Sequence, residues 1–397
     1  MNTDFYRIKR LPPYVIAEVN AMRAAARKEG RDIIDLGMGN PDQPPPQHVI
    51  DKLCEVARKP DAHGYSQSKG IPGLRKAKAN YYAQRFGVEL DPESEIVVTM
   101  GSKEGLSSLA NAITAPGDVI LAPNPSYPIH TFGFIIAGAT IRAVPTTPNE
   151  DYWRALDNAM AFTVPRPSVL VVNYPSNPTA EVVDLAFYER LVAWAKENEV
   201  WVLSDLAYSE LYFDGNPTPS IMQAKGAKDV AVEFTSMSKT YSMAGWRMGF
   251  AVGNKQLISA LTRVKSYLDY GAFTPIQAAA CAALNGPQDI VESNRQLYQK
   301  RRDVMVEAFG RAGWDIPPPP ASMFAWAPLP PALKEMGSLE FSKQLLTHAE
   351  VAVAPGVGYG EEGEGFVRIA MVENEQRLRQ AARNVKRYLQ SLGVNGG

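Results

Sequence analysis

Lys239 stands in Ser236-Met237-Ser238-Lys239, directly after the run VAVEFTS, and Arg247 follows shortly in GWRMGF. An amine kept dry at a strand end, beside another cation, loses its proton readily and becomes a nucleophile. Two serines and a guanidinium supply the hydroxyls and positive charge that hold a phosphate. The set reads as a phosphate cage around an amine that attacks an aldehyde. Taken alone, Lys239 reads as one of many surface lysines.

A second constellation changes that balance. Asn177-Pro178-Thr179 follows SVLVVN, Asp205 ends VWVLSD, and Tyr208 comes just after it. A carboxylate beside the nitrogen of a pyridine ring keeps that nitrogen protonated, which makes the ring an electron sink. A phenol and an amide can hydrogen-bond the ring's oxygen. Singly, Asp205 also suits a helix cap and Tyr208 the edge of a core. Gly101-Ser102-Lys103-Glu104-Gly105, after EIVVTM, offers backbone N–H groups at a helix start, where phosphate binds without needing a particular side chain. Tyr127, in NPSYP, has a face on which a ring could stack; a lone aromatic more often serves packing.

These residues follow strand-like runs, and the elements that position them can be read from the pattern. From Glu95 onward, short β-branched runs (EIVVTM, DVILA, TIRAV, SVLVVN, VWVLSD, VAVEFTS, GFAVG) alternate with helical stretches such as SKEGLSSLANAI and LAFYERLVAWAKE. Continuous apolar strands separated by helices predict an α/β fold: a large domain with a mostly parallel sheet covered by helices on both faces. Ligands of such sheets bind beyond the strands' carboxyl ends. Helical spacing also predicts helices over 15–26, 47–58 and 74–86, the last stopped by Gly87. The final third carries long helical patterns around short strands such as FVRIAMV and predicts a small α+β domain. The expected division is 46–286 for the large domain, with 1–45 and 287–397 forming the small one.

The 397 residues exceed one ordinary core, which splits beyond roughly 250–300 residues. Lys and Arg total 41 against 42 Asp and Glu, so the electrostatic reason to expect nucleic acid or an anionic membrane as partner is missing. Two cysteines are too few for a disulfide scaffold or a Cys-based zinc site, and no metal is expected. No secretory signal or spanning segment is visible, and the cytoplasm is the expected compartment.

The order Asn177…Asp205-x-x-Tyr208…Ser236-x-Ser238-Lys239…Arg247 resembles the pyridoxal-phosphate aminotransferases of fold type I, class I/II. The resemblance runs from Gly39-Asn40-Pro41-Asp42 to Arg368. RLPPYV, HGYSQSKGIPGLR, GSKEGL, PNPSYPIH, SNPTA, DLAY, MAGWR and ASMFAW are most similar to the bacterial glutamate–pyruvate (alanine) aminotransferases. The resemblance implies pyridoxal 5'-phosphate as cofactor, held by Lys239 as an internal aldimine, with Lys239 then shuttling the Cα proton. It implies that Asp205 pairs with the pyridinium, that Tyr208 and Asn177 contact the ring oxygen, and that Tyr127 stacks on the ring. Ser236, Ser238, Arg247, Ser102 and Lys103 would hold the phosphate. Tyr65 would reach the site of a neighbouring subunit, making a homodimer the working unit. Arg368, in FVRIAM, would clamp the substrate α-carboxylate, with Asn177, the Gly39 backbone and Tyr14 on the substrate side.

The activity so implied is ping-pong transamination between L-alanine and 2-oxoglutarate. LL-diaminopimelate is the main alternative substrate; that group carries Asn at the place aligned with Tyr270, and a phenol there favours a shorter side chain. Aspartate or another amino acid, and a C–S β-lyase using the same cofactor residues, are further readings. A ligand-sensing DNA-binding regulator would need a basic helix-turn-helix before the core, which the sequence lacks. No second arginine for a distal carboxylate stands out.

Overall fold

Strand β1 (Ile34–Asp35) precedes the seven strands that organise the chain: β2 (Ile96–Thr99), β3 (Val119–Asn124), β4 (Thr140–Pro145), β5 (Val169–Asn173), β6 (Trp201–Asp205), β7 (Ala231–Ser236) and β8 (Gly249–Gly253). The computed structural model describes residues 1, 3–13 and 15–393. In the large sheet the strand order is β2-β8-β7-β6-β5-β3-β4. The pairs among β4, β3, β5, β6 and β7 are parallel; β8 runs antiparallel to both β7 and β2. The sheet is therefore mostly parallel with one reversed strand. The sequence does not reveal that reversal, because a strand buried on both faces reads the same in either direction.

Alternate residues of one strand enter different cores. Ile96 and Val98, Leu170 and Val172, and Val202 join one apolar cluster with residues of the helices Pro72–Phe86, Glu150–Phe162 and Leu185–Asn198. Val97, Val169, Val171 and Leu203 join another, with residues of Ser102–Ile113, Ile129–Ala137 and Lys255–Leu268. Side chains alternate across a strand, so both faces must be covered, and both are. Gly87 ends its helix with φ +66°, the left-handed conformation that glycine adopts without a Cβ penalty.

A third cluster joins Ile34 and Leu36 to side chains of the helices Asp289–Gly310 and Glu375–Ser391 and of a small sheet. That sheet comprises β9 (Phe324–Pro328), β11 (Ala354–Pro355) and β12 (Phe366–Ala370), in the order β11-β12-β9, while β10 (Val351–Ala352) pairs parallel with β1. Tyr208, Leu211 and Phe213, from the segment after β6, also pack into this cluster. Residues beside the large sheet's carboxyl ends are thereby fixed against the smaller unit. Among the described residues, no helix is long and apolar enough to cross a membrane.

Candidate active site

Parallel register places the strand ends side by side: Asn173 lies opposite Asp205, and Asp205 opposite Phe234. The chain after β7 turns at once into Met237–Thr240, with the Ser236 hydroxyl accepting from the Ser238 N–H at 3.1 Å. Lys239 thus emerges where β5, β6 and β7 finish. Here a cavity of about 910 Å³ opens, lined by residues at the large sheet's strand ends and by Phe324 and Arg368 of the small sheet. It brings together Gly39, Ser102, Lys103, Tyr127, Asn177, Asp205, Tyr208, Ser236, Ser238, Lys239, Arg247 and Arg368. Tyr65 does not line it: its side chain is 88% exposed and meets the Tyr270 ring at 4.6 Å. Tyr14 lies outside the described residues.

The Lys239 amine donates to the Gly39 carbonyl at 2.6 Å. Burial, with further repulsion from Arg368 and Arg247, lowers its proton affinity to a pKa of about 7. Protein surrounds the side chain even though the cavity leaves it partly accessible. A neutral amine near pH 7 is the nucleophile the motif suggests.

Asp205 is 4% exposed and is held on several sides. His130 Nε2 donates to its Oδ2 at 2.9 Å, and the Ala207 N–H donates to Oδ1 at 3.2 Å. Asn173 donates to the Asp205 carbonyl at 2.8 Å and accepts from the Asn177 N–H at 2.8 Å, tying two site loops together. Tyr208 packs edge-on against Phe324 at 5.6 Å; burial raises its proton affinity, so the phenol stays protonated and can donate. Tyr127 is shifted upward for the same leading reason, and its ring stands edge-on to His130 at 6.0 Å.

Arg368, in β12, comes from the other side of the cavity and is 6% exposed. It donates to Asn177 Oδ1 and to the Gly37 carbonyl, each at 2.8 Å, and lies 3.9 Å from the Phe324 ring centroid. Its Nε is buried without a hydrogen-bond partner among the described residues. The guanidinium is therefore held as an oriented fork, the geometry that matches a carboxylate.

At the opposite end, Gly101 precedes the helix Ser102–Ile113 with φ +82°. A Cβ there would fall 2.2 Å from Arg247 Nη2, so the absent side chain is what lets the guanidinium lie over the helix start. Arg247 itself has φ +53°, and it donates to the Ala244 carbonyl at 2.9 Å. Serine hydroxyls, helix N–H groups and this guanidinium share one end of the cavity with nothing bulky at Gly101. A phosphate fits that cradle, and a ring nitrogen fits beside the anchored Asp205.

Two contributors escaped the sequence reading. One is His130, inside PNPSYPIH: it stands in the first turn of the helix Ile129–Ala137, and its ring meets Asp205 at the strand ends. The Gly37 carbonyl is the other: it accepts from Arg368, while the Gly39 carbonyl accepts from Lys239.

Residues 31–385 match the family described as aminotransferase class I and II. The chain belongs to that family, whose enzymes use pyridoxal 5'-phosphate, and the protein is an aminotransferase. The glutamate–pyruvate aminotransferase AlaC of Escherichia coli (strain K12) is 52% identical, over 98% of this chain and 96% of its own. An LL-diaminopimelate aminotransferase of Moorella thermoacetica is 42% identical, over 96% of this chain and 97% of its own. A Thermus thermophilus aspartate aminotransferase mutant has a similar structure, with a TM-score of 0.89, 29% identity, and coverage of 98% of this chain and 100% of that one.

Proposed function

We propose that the protein exchanges an amino group between L-alanine and 2-oxoglutarate, yielding pyruvate and L-glutamate, in two half-reactions at one site. The observation that carries the choice of substrates is the 52% identity to AlaC over almost the whole chain. When bound, pyridoxal phosphate supplies a carbonyl carbon for the amine and a conjugated ring that accepts the electron pair left at Cα. The rest is assigned to this chain's own groups. Arg368 and Asn177 hold the substrate α-carboxylate at one end, while Ser102, Lys103, Ser236, Ser238 and Arg247 hold the phosphate at the other. Fixing both ends sets the direction in which the Cα–H bond points. Lys239, with its lowered proton affinity, takes that proton and returns it. Asp205, oriented by His130, keeps the ring nitrogen protonated; Tyr208 donates to the ring oxygen, and Tyr127 covers the ring face.

Two copies form the working unit in this reading. Tyr65 and Tyr270, 88% and 62% exposed, meet as tilted rings outside their own cavity, as residues serving a neighbour's site would. The cytoplasm is the proposed compartment, and 46–286 against 1–45 with 287–397 the proposed division. LL-diaminopimelate remains the second reading, on the 42% identity to an enzyme named for it.

A half-reaction panel tests the proposal. Single amino acids are added to the loaded enzyme without an acceptor, and conversion of its visible spectrum to that of the pyridoxamine form is followed. Alanine and glutamate should convert it and LL-diaminopimelate should not. Conversion by LL-diaminopimelate but not alanine overturns the choice.

A further inference from the structure

Besides Arg247 and Arg368, the cavity is lined by two arginines that the sequence did not reveal. Arg23 and Arg27, one turn apart on the helix Val15–Lys28, line the same cavity as Arg368 and Lys239. Both pair with Asp35: Arg23 directly through Nη1, and Arg27 at 3.9 Å. Arg23 and Asp35 are largely buried, with side chains 16% and 15% exposed, whereas Arg27 is half open to solvent. Asp35 Oδ1 accepts from the Gly37 N–H at 3.1 Å, and the Gly37 carbonyl accepts from Arg368 Nη2 at 2.8 Å. Arg23 and Arg368 are thus linked through a single carboxylate and a peptide unit. The cavity's other acids are Asp42, Asp205 and Glu373; both nitrogens of the Arg301 fork hold Asp42 at 2.7 Å, and His130 holds Asp205.

We infer that Arg23 receives the distal carboxylate of the dicarboxylic substrate, with Asp35 as the internal counter-ion that stands in when the substrate lacks one. The inference rests on the alanine–glutamate reading above. With glutamate or 2-oxoglutarate, Arg368 takes the α-carboxylate and Arg23 turns part of its fork from Asp35 to the far carboxylate. With alanine or pyruvate, Asp35 keeps Arg23 paired, so the short side chain leaves no bare cation in the wall. A site with a built-in substitute anion accepts both a methyl group and a carboxyethyl group. This meets the requirement that both half-reactions share one pocket.

The test is calorimetric titration of the loaded enzyme with glutarate, a five-carbon diacid, and with pentanoate, its monoacid counterpart. Wild type should prefer glutarate. Arg23→Gln should weaken glutarate by about 10–100-fold and leave pentanoate unchanged, as expected for one side of a partly buried charge pair. Arg23→Lys should restore part of the loss. Asp35→Asn keeps the acceptor for Gly37 but removes the competing charge, and should tighten glutarate. Equal weakening of both acids by Arg23→Gln, or an unchanged ratio, overturns the inference. The half-reaction panel separates the two readings. If alanine fails there while Arg23→Gln abolishes the glutarate preference, the choice of substrates falls and the subsite stands. If alanine succeeds and the preference survives in Arg23→Gln, the subsite alone falls.

Discussion

Asp205 and His130, 75 positions apart in sequence, meet at 2.9 Å between Nε2 and Oδ2 in the floor of the cavity. The imidazole is fully buried, and its Nδ1 has no partner among the described residues. With the proton on Nε2, the ring donates to the carboxylate and leaves only a neutral acceptor unsatisfied. The carboxylate is thereby aimed by a rigid neighbour, and water does not take that place.

His130→Phe keeps a ring and removes the donor. A hydrogen bond to a charged group contributes about 1.5–3 kcal/mol, so kcat should fall on the order of 10–100-fold while the cofactor stays bound. Asp205→Ala should also retain cofactor and lose most turnover. Steady-state kinetics with cofactor content measured alongside decides; full activity in either variant removes the pair from the chemistry.

Arg368→Lys replaces a fork with a point charge that cannot span both Asn177 Oδ1 and the Gly37 carbonyl. Substrate carboxylate binding should weaken by about 2–5 kcal/mol, seen as a raised KM for every amino acid tried. Unchanged kinetics would take Arg368 out of the site.

Lys239 has its proton affinity lowered from the free value of 10.5 to about 7, through burial first and then Arg368 and Arg247. Between those values the folded protein carries a neutral amine where an unfolded chain carries a charged one. The rate at which cofactor-free protein takes up pyridoxal phosphate should therefore rise with pH through about 7 and then level. By linkage, stability of the cofactor-free fold rises with pH over the same interval, because the unfolded chain binds the extra proton. Arg247→Gln should move the uptake midpoint upward. A midpoint near the ordinary lysine value would contradict the burial of Lys239.

Gly101→Ala places a Cβ where Arg247 lies, at a backbone conformation with φ +82° and ψ 160° that side chains avoid. The strain is about 1–3 kcal/mol. The Arg247 side chain must also swing away, so pyridoxal phosphate should dissociate about 10-fold more readily, as read by fluorescence titration, while circular dichroism stays native. An unchanged dissociation constant would show that the cradle does not depend on this close approach.

Strand ends were the legible part of the site. Asn177, Asp205 and Lys239 each follow a strand-like run, and a parallel sheet brings such ends together whatever lies between them. Arg247 was legible from its place shortly after Lys239, and Arg368 only through the family resemblance. The contacts made by side chains from helices were not: His130 reaches Asp205 from a helix after β3, and Arg23 reaches Asp35 from the N-terminal helix. Helical spacing says which face is apolar but not which polar residue on its border meets a distant carboxylate. The reversed β8 was hidden for a related reason, since its apolar run carries no direction.

In the proposed mechanism the cofactor is held by Lys239. Borohydride reduction of the pyridoxal-phosphate-loaded enzyme, followed by peptide mapping, tests it most directly. A single stable adduct is expected on the peptide containing Ser236-Met237-Ser238-Lys239, and none in Lys239→Ala. An adduct on Lys103, Lys78 or any other lysine in the wild-type protein would contradict it.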